Sequence, residues 1–155
     1  MEQLFGNIDD IFIKWSSGSA LFFDHYENGF SRLTVAVKCR IGNLKDTYFS
    51  LLDTGAEWSV IGGEISEILE CGSPIAPVTM STRHGRLSGH LHRINISLLA
   101  DPGCGLDLNV ESTVAILSEW SGPIVLGYRG FLERLRFPLD PGVMPGSRQR
   151  FYFGA

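Results

Sequence analysis

The chain has 155 residues, of which 44% are hydrophobic, and a formal net charge of −4 at pH 7. This length allows one domain with a substantial core and is too short for two full domains. The charge is small and the lysines and arginines are scattered, so we expect no nucleic-acid partner, and no apolar run is long enough to cross a bilayer.

Eighteen glycines and many short apolar runs predict an all-β domain. Residues 1–31 are interpreted as an N-terminal extension, with a flexible break at 16–19, and residues 32–155 as the main domain. Apolar and polar side chains alternate over residues 32–41, which predicts a strand with one buried face. Residues 47–52 return as a second strand. Its last four residues are nearly all apolar, so we expect both of its faces to be covered.

The rest of the chain alternates short strands with two short helical patterns. Apolar residues recur at helical spacing in two places, and turn residues separate the remaining apolar runs. In chain order, the predicted elements are a helix over residues 64–70, a polar projecting hairpin over 78–92 with its turn at 83–86, strands over 94–98, 106–110, 114–117 and 124–127, a helix over 129–136, a loop over 141–148 and a closing strand over 151–153.

The segment with the clearest chemical meaning lies within residues 51–62. Two leucines lead into Asp53, Thr54, Gly55 and Ala56, and an apolar pair follows. This pattern predicts a buried strand that stops and presents one carboxylate on a tight turn. Such an acid is destabilising unless it is hydrogen-bonded or used in chemistry. We expect Gly55 to adopt backbone angles closed to other residues and to bring its amide close to the carboxylate.

This segment resembles the active-site loop of the retropepsin-like (retroviral-protease-like) single-domain aspartic peptidases. The family has a second landmark, two apolar residues and a glycine, which matches Val125, Leu126 and Gly127. It also has a glycine-containing hairpin, the flap, which closes over bound peptide and matches Arg83, His84 and Gly85 in chain order. Retroviral members place arginine directly after the landmark glycine, whereas this chain has Tyr128 there and Arg129 one position later.

The resemblance implies a closed acid-protease-type β-barrel with one short C-terminal helix and a flap hairpin, assembled as a homodimer. It implies an aspartic endopeptidase that hydrolyses peptide or protein substrates and needs no metal or organic cofactor. Catalysis of this kind uses two carboxyl groups that share a proton, one as base and one as acid. The chain has no second Asp-Thr-Gly or Asp-Ser-Gly, so Asp53 of each subunit would supply one carboxyl group.

The remaining site residues follow from the same resemblance. Thr54, Gly55 and Ala56 would support the carboxylate, and the Thr54 hydroxyl would reach across the twofold axis. The flap residues 83–85 and the pocket residues 125–127 would contact substrate.

Two alternatives to a peptidase stay open. The same dimeric fold can serve as a non-catalytic dimerisation or peptide-binding module. A metal-dependent β-barrel could use His84, His90 and His92, although no cysteine or acid falls at ligand spacing beside them. Glu57 could line a substrate subsite or be a solvated loop acid.

The cysteines and the N-terminus predict a cytoplasmic protein. Cys39, Cys71 and Cys104 are an odd number at wide spacing, which argues against a disulfide framework and is typical of a reducing compartment. The first ten residues lack the basic region and long apolar run of a secretory signal. We expect Cys39 to be a core residue and the other two to be free thiols.

Overall fold

A computed structural model describes residues 15–27, 30–142 and 148–155. Residues 1–14, 28 and 29 of the predicted N-terminal extension lie outside these ranges, as do residues 143–147 of the predicted loop. The elements, in chain order, are β1 (Gly18–Leu21), β2 (Phe23–Glu27), β3 (Phe30–Ile41), β4 (Tyr48–Leu52), β5 (Ser59–Ile61), α1 (Gly63–Ile68), β6 (Ala76–Thr82), β7 (Gly85–Leu98), β8 (Leu108–Ile116), β9 (Val125–Leu126), a 3-10 helix (Leu132–Arg134), β10 (Leu139–Asp140) and β11 (Arg150–Phe153).

Six of these strands close into a barrel. Their order is β3-β4-β9-β5-β8-β7, and β7 pairs back with β3. The β4–β9 and β5–β8 pairs are parallel and the other pairs of the barrel are antiparallel. β2 and β6 extend this sheet at its two ends, and β1, β11 and β10 form a second, smaller sheet. The predicted all-β domain with a closed barrel is therefore confirmed.

Alternate side chains of β3 point into the barrel interior, so the strand has one buried face, as predicted. Val37, Cys39 and Ile41 are almost fully buried, while the residues between them are more exposed. The Cys39 thiol contacts the Ser50 hydroxyl at 2.8 Å. Burial raises the pKa of Cys39 to about 11, although the hydrogen bond with Ser50 opposes the rise. This thiol therefore stays protonated near neutral pH and is a packing residue, as the sequence predicted.

The prediction that β4 is covered on both faces is wrong. Phe49 is 56% exposed, whereas Ser50 is fully buried and faces the Cys39 thiol. Side chains of β4 therefore alternate between the interior and the surface, although the sequence reads as an apolar run. Ser50 can take an interior position at low cost because its hydroxyl has a hydrogen-bond partner.

The predicted C-terminal helix over residues 129–136 is also wrong, because only the 3-10 turn Leu132–Arg134 forms. Gly130 has a φ of +73°, outside the helical region, and its amide donates to the Glu133 carboxylate. Arg136 exchanges two backbone hydrogen bonds with Gly154, of 2.8 and 3.0 Å. These contacts pull both ends of the segment out of helical geometry. The other predicted helix exists as α1.

Two predicted breaks in strands do not occur. The strands predicted over 106–110 and 114–117 form the single strand β8, because Ser112 is buried and its hydroxyl bonds to the Val110 carbonyl at 2.9 Å. Within the predicted flexible break at 16–19, Gly18 and Ser19 instead begin β1. A Cβ on Gly18 would lie 2.2 Å from the Leu106 carbonyl oxygen, so this glycine permits close packing.

β1 connects the N-terminal part of the described chain to its C-terminal strand. It pairs with β11, and Ala20 and Phe22 join the main hydrophobic core. The boundary placed at residue 32 stays a prediction. Within the described ranges, no helix is both long and apolar enough to cross a bilayer.

Asp101 links β1 and β3 to the turn after β7. Its carboxylate accepts a hydrogen bond from the Leu21 amide at 2.7 Å and forms an ion pair with Lys38. Desolvation alone would raise the pKa of Asp101, but the hydrogen bonds from Lys38 and Leu21, with the nearby charges of Lys38 and Arg150, lower it. The folded state therefore holds this carboxylate ionised at a pH where the unfolded chain has begun to bind a proton.

We expect Asp101→Asn to reduce the free energy of unfolding by about 1–3 kcal/mol at pH 7, because hydrogen bonds to charged groups contribute about that much. Because the folded pKa is lowered, the stabilisation is complete above the unfolded pKa of about 3.9 and disappears as the pH falls through the folded pKa. Urea unfolding of both proteins between pH 2 and 7 measures this difference. A gap between wild type and variant that does not narrow in acid would contradict the assignment, and Asp46→Asn, at an exposed turn, is the matched control.

Candidate active site

The loop that carries Asp53 joins β4 to β5, and β9 lies between these two strands. The Leu51 amide donates to the Ile124 carbonyl at 2.8 Å, and the Asp53 amide donates to the Leu126 carbonyl at 3.0 Å. Val60 on β5 is paired with Val125 on the other edge of β9. Both ends of the loop are therefore anchored to one short buried strand.

The segment after β9 holds the far side of this loop. The amides of Tyr128 and Arg129 donate to the carbonyls of Ala56 and Glu57 at 2.9 and 2.7 Å. The Gly127 amide donates to the Ser59 hydroxyl at 3.0 Å. The two landmarks that the sequence singled out thus form one hydrogen-bonded unit.

The Asp53 side chain is exposed at the end of β4. Its Oδ1 accepts a hydrogen bond from the Gly55 amide at 2.9 Å. No lysine, arginine or histidine of the described residues forms an ion pair with it. The second oxygen of the carboxylate is therefore available to a water molecule or to another acid.

Two expectations about the residues after Asp53 have different outcomes. Gly55 does not adopt a left-handed backbone, so that prediction is wrong. A Cβ at Gly55 would lie 3.2 Å from Asp53 Oδ1, so the glycine is suited to the close approach of its amide, as expected. Thr54 is exposed, and the reach of its hydroxyl to a second subunit stays a prediction.

Arg129, one position after the place where retroviral proteases have their arginine, forms an ion pair beside this loop. Its guanidinium lies 3.1 Å from the Glu57 carboxylate and 5.9 Å from the ring centre of Trp58. Both charged side chains are more than half exposed, so the pair contributes little to stability. What matters for the site is that the Arg129 guanidinium balances the negative charge of the Glu57 carboxylate.

Asp53 lies in an open cleft of about 500 Å³ between the loop and the β6–β7 hairpin. The floor and one wall are formed by the loop and by β5 and β9. The other wall is the end of β6, and the loop before β9 closes one side. The lining residues are Leu51, Asp53, Gly55, Ala56, Glu57, Val60, Thr79, Met80, Ser81, Thr82, Arg83, Trp120, Pro123 and Val125.

The tip of the hairpin is a two-residue turn. The Thr82 hydroxyl donates to the Gly85 carbonyl at 2.9 Å and accepts from the His84 amide at 3.1 Å. Gly85 has a φ of +108°, which a residue with a side chain rarely adopts. Arg83 lines the cleft, whereas His84 and Gly85 lie outside its lining.

Of the predicted pocket residues 125–127, which form β9 and the position after it, only one lines the cleft. Val125 lines the cleft, but Leu126 is fully buried in the main core. Gly127 packs against the Trp58 backbone, since a Cβ there would lie 2.3 Å from the Trp58 carbonyl carbon. Sequence reasoning missed Met80 and Trp120 as lining residues. The alternation of Val78 and Met80 along β6 was a signal for Met80, while Trp120 lies in a loop with no pattern.

The histidines of the hairpin do not form a metal site. His92 Nδ1 lies 3.1 Å from the Gly72 carbonyl oxygen. Across the described part of the chain, no three histidine, cysteine, aspartate or glutamate side chains are grouped so that they could hold a metal ion. The metal-dependent alternative therefore has no support in these residues.

The cleft can bind an extended apolar segment against a carboxylate. The Asp53 carboxylate can activate a water, but hydrolysis also requires an acid to protonate the leaving group. Glu57 is the other acid of the lining, and it is paired with Arg129. Within one chain, the described cleft therefore lacks a partner acid for Asp53.

No protein-family model matches this chain, and a search of curated proteins finds no significant match.

Proposed function

We propose that this protein is an aspartic endopeptidase of the retropepsin-like type, active as a homodimer in the cytoplasm. The observation that carries the proposal is the Asp53 carboxylate, which is exposed in a peptide-sized cleft and bonded to the Gly55 amide. No described cation forms an ion pair with this carboxylate, so its charge is available to a ligand in the cleft. The three cysteines are free thiols, which fits a reducing compartment.

The dimer is proposed because one chain supplies one suitable acid. A twofold axis beside the loop would bring two Asp53 carboxylates together and make the interface self-complementary. Thr54 and Gly55 are exposed next to Asp53, and the large side chain of Tyr128 is 53% exposed in the neighbouring segment. These exposed residues are the surface that the proposed twofold contact would cover.

Hydrolysis would follow from a proton that the two carboxyl groups share. Two like charges a few ångströms apart cannot both ionise, so one group stays protonated. The ionised carboxylate takes a proton from water as the water oxygen attacks the peptide carbonyl carbon, and the protonated group donates to the carbonyl oxygen. The C–N bond then breaks as the nitrogen receives a proton from the first carboxyl group, while the second, now ionised, takes a proton from a hydroxyl of the intermediate, which becomes the carboxylic acid. The dyad again holds one proton.

Substrate would bind in an extended conformation between the loop and the hairpin. β6 is the last strand of its sheet, so its outer edge has backbone groups available to a peptide that adds as a further strand. Four consecutive residues of the hairpin, Thr79 to Thr82, and Arg83 line the cleft. Closure of this hairpin would exclude water other than the attacking one.

The test is incubation of the protein with a mixture of unfolded proteins between pH 3 and 8, with new N-termini identified by mass spectrometry. We expect cleavage with a bell-shaped pH dependence, because activity requires one ionised and one protonated carboxyl group. Sedimentation should show a species of twice the chain mass. A dimer that binds peptides and generates no new N-termini at any pH would instead indicate the non-catalytic peptide-binding module.

A further inference from the structure

Three charged side chains line the cleft, and only one of them is a cation. These are Asp53, Glu57 and Arg83. Glu57 is neutralised by Arg129 at 3.1 Å, and Asp53 is bonded to the Gly55 amide. Among the described residues, Arg83 forms neither an ion pair nor a side-chain hydrogen bond. Arg83 is therefore the one cation of the described lining, and its guanidinium has no side-chain partner there.

The hairpin determines which of its two arginines faces the cleft. The Thr82 hydroxyl bonds to both His84 and Gly85, so the turn is held to two residues and Arg83 stands at the end of the cleft wall. Arg86 lies on the returning strand β7, opposite Ser81 of β6, and is not part of the lining. The two arginines are three positions apart and both exposed, but they differ in access to the cleft.

The other side chains of the lining are mainly apolar or hydroxyl-bearing. Val60, Met80, Trp120 and Val125 form an apolar surface near Asp53, and Val60 and Val125 belong to the second hydrophobic cluster of the protein. A peptide that fits this cleft would place apolar side chains on that surface. An acidic side chain farther along the peptide would meet the unpaired guanidinium.

We propose that Arg83 determines specificity by binding a glutamate or aspartate side chain of the peptide, so that the protein selects apolar sequences flanked by an acid. This inference rests on the proposed function, since it assumes that a peptide occupies the cleft. A guanidinium binds a carboxylate with two parallel hydrogen bonds, and the neutral Gln or Asn side chain cannot replace that charge.

The experiment compares fluorescent eight-residue peptides that have two central apolar residues. Glutamate is moved through the outer positions, and each peptide has a glutamine counterpart. Binding at pH 6 is followed by anisotropy with Asp53→Asn protein, which leaves the peptide intact, and cleavage is followed with the wild type. The same peptides are measured on Arg83→Ala and, as the matched control, on Arg86→Ala. Each of these substitutions is made in the Asp53→Asn protein for binding and in the wild type for cleavage.

At one or more positions, we expect the glutamate peptide to bind about two- to fivefold more tightly than its glutamine counterpart, the range expected of an exposed ion pair. The preference should disappear in Arg83→Ala, persist in Arg86→Ala and weaken in 1 M salt. Equal binding of both peptides at every position, or a preference that survives Arg83→Ala, would overturn the inference.

The outcomes also separate this inference from the proposed function. A protein that cleaves peptides but does not distinguish glutamate from glutamine remains a peptidase, and only the role of Arg83 is then rejected. A protein that neither binds nor cleaves any of the peptides contradicts both proposals.

Discussion

Asp53→Asn is expected to lower kcat/KM for peptide cleavage by about 10²- to 10⁴-fold, the range associated with loss of a general acid or base. Asparagine has nearly the same shape and can still accept a hydrogen bond from the Gly55 amide. It cannot take a proton from water or share one with a partner carboxyl group. The folded structure and the dimer should therefore be retained while turnover is lost.

The measurement is steady-state cleavage of one peptide at the optimum pH, with unfolding curves recorded for both proteins. Asp46→Asn is the matched control, because Asp46 is also followed by threonine but lies in an exposed turn outside the cleft. This control should leave kcat/KM unchanged. If Asp53→Asn retained wild-type activity, the dyad would be excluded.

Gly127→Ala is expected to reduce the free energy of unfolding by about 1–3 kcal/mol, as for other insertions into close packing. A Cβ at Gly127 would lie 2.3 Å from the Trp58 carbonyl carbon and 2.4 Å from its oxygen. These are backbone atoms, so they cannot yield as the end of a flexible side chain would. To relieve the contact, the backbone at Gly127 and Trp58 would have to move apart. This movement would also strain the hydrogen bond from the Gly127 amide to the Ser59 hydroxyl and displace the Asp53 loop.

Urea unfolding measures the loss of stability, and peptide cleavage measures the displacement of the loop. Gly72→Ala is the control, because a Cβ at Gly72 has no atom within 4 Å. This variant should differ from wild type by less than about 0.5 kcal/mol, the usual range for a surface change. If Gly127→Ala were equally neutral, Gly127 would not position the loop.

Several features of this fold follow directly from local sequence patterns. The alternation in β3 predicted its buried face, and the glycine after Arg83 and His84 predicted a tight hairpin turn. The two landmarks, Asp53 to Ala56 and Val125 to Gly127, were matched separately in the sequence. In the structure, backbone hydrogen bonds join them into one unit.

Other features depend on contacts between distant parts of the chain. β1 pairs with β11 across most of the sequence, so no local pattern could reveal that Gly18 lies within a sheet. The helix expected after Gly127 competes with the pairing of Arg136 and Gly154, which is visible only when the chain has folded. The neutralisation of Glu57 by Arg129 likewise joins positions 72 residues apart.

The dimer is the central claim, and a mixing experiment tests it most directly. Wild-type and Asp53→Asn chains are unfolded together, refolded at equal amounts and assayed against wild-type chains refolded at the same total concentration. If the two acids come from two chains, random pairing leaves active only the dimers with two wild-type chains, so activity falls to about a quarter. If each chain acts by itself, activity falls only to about half, and the cross-subunit dyad is contradicted.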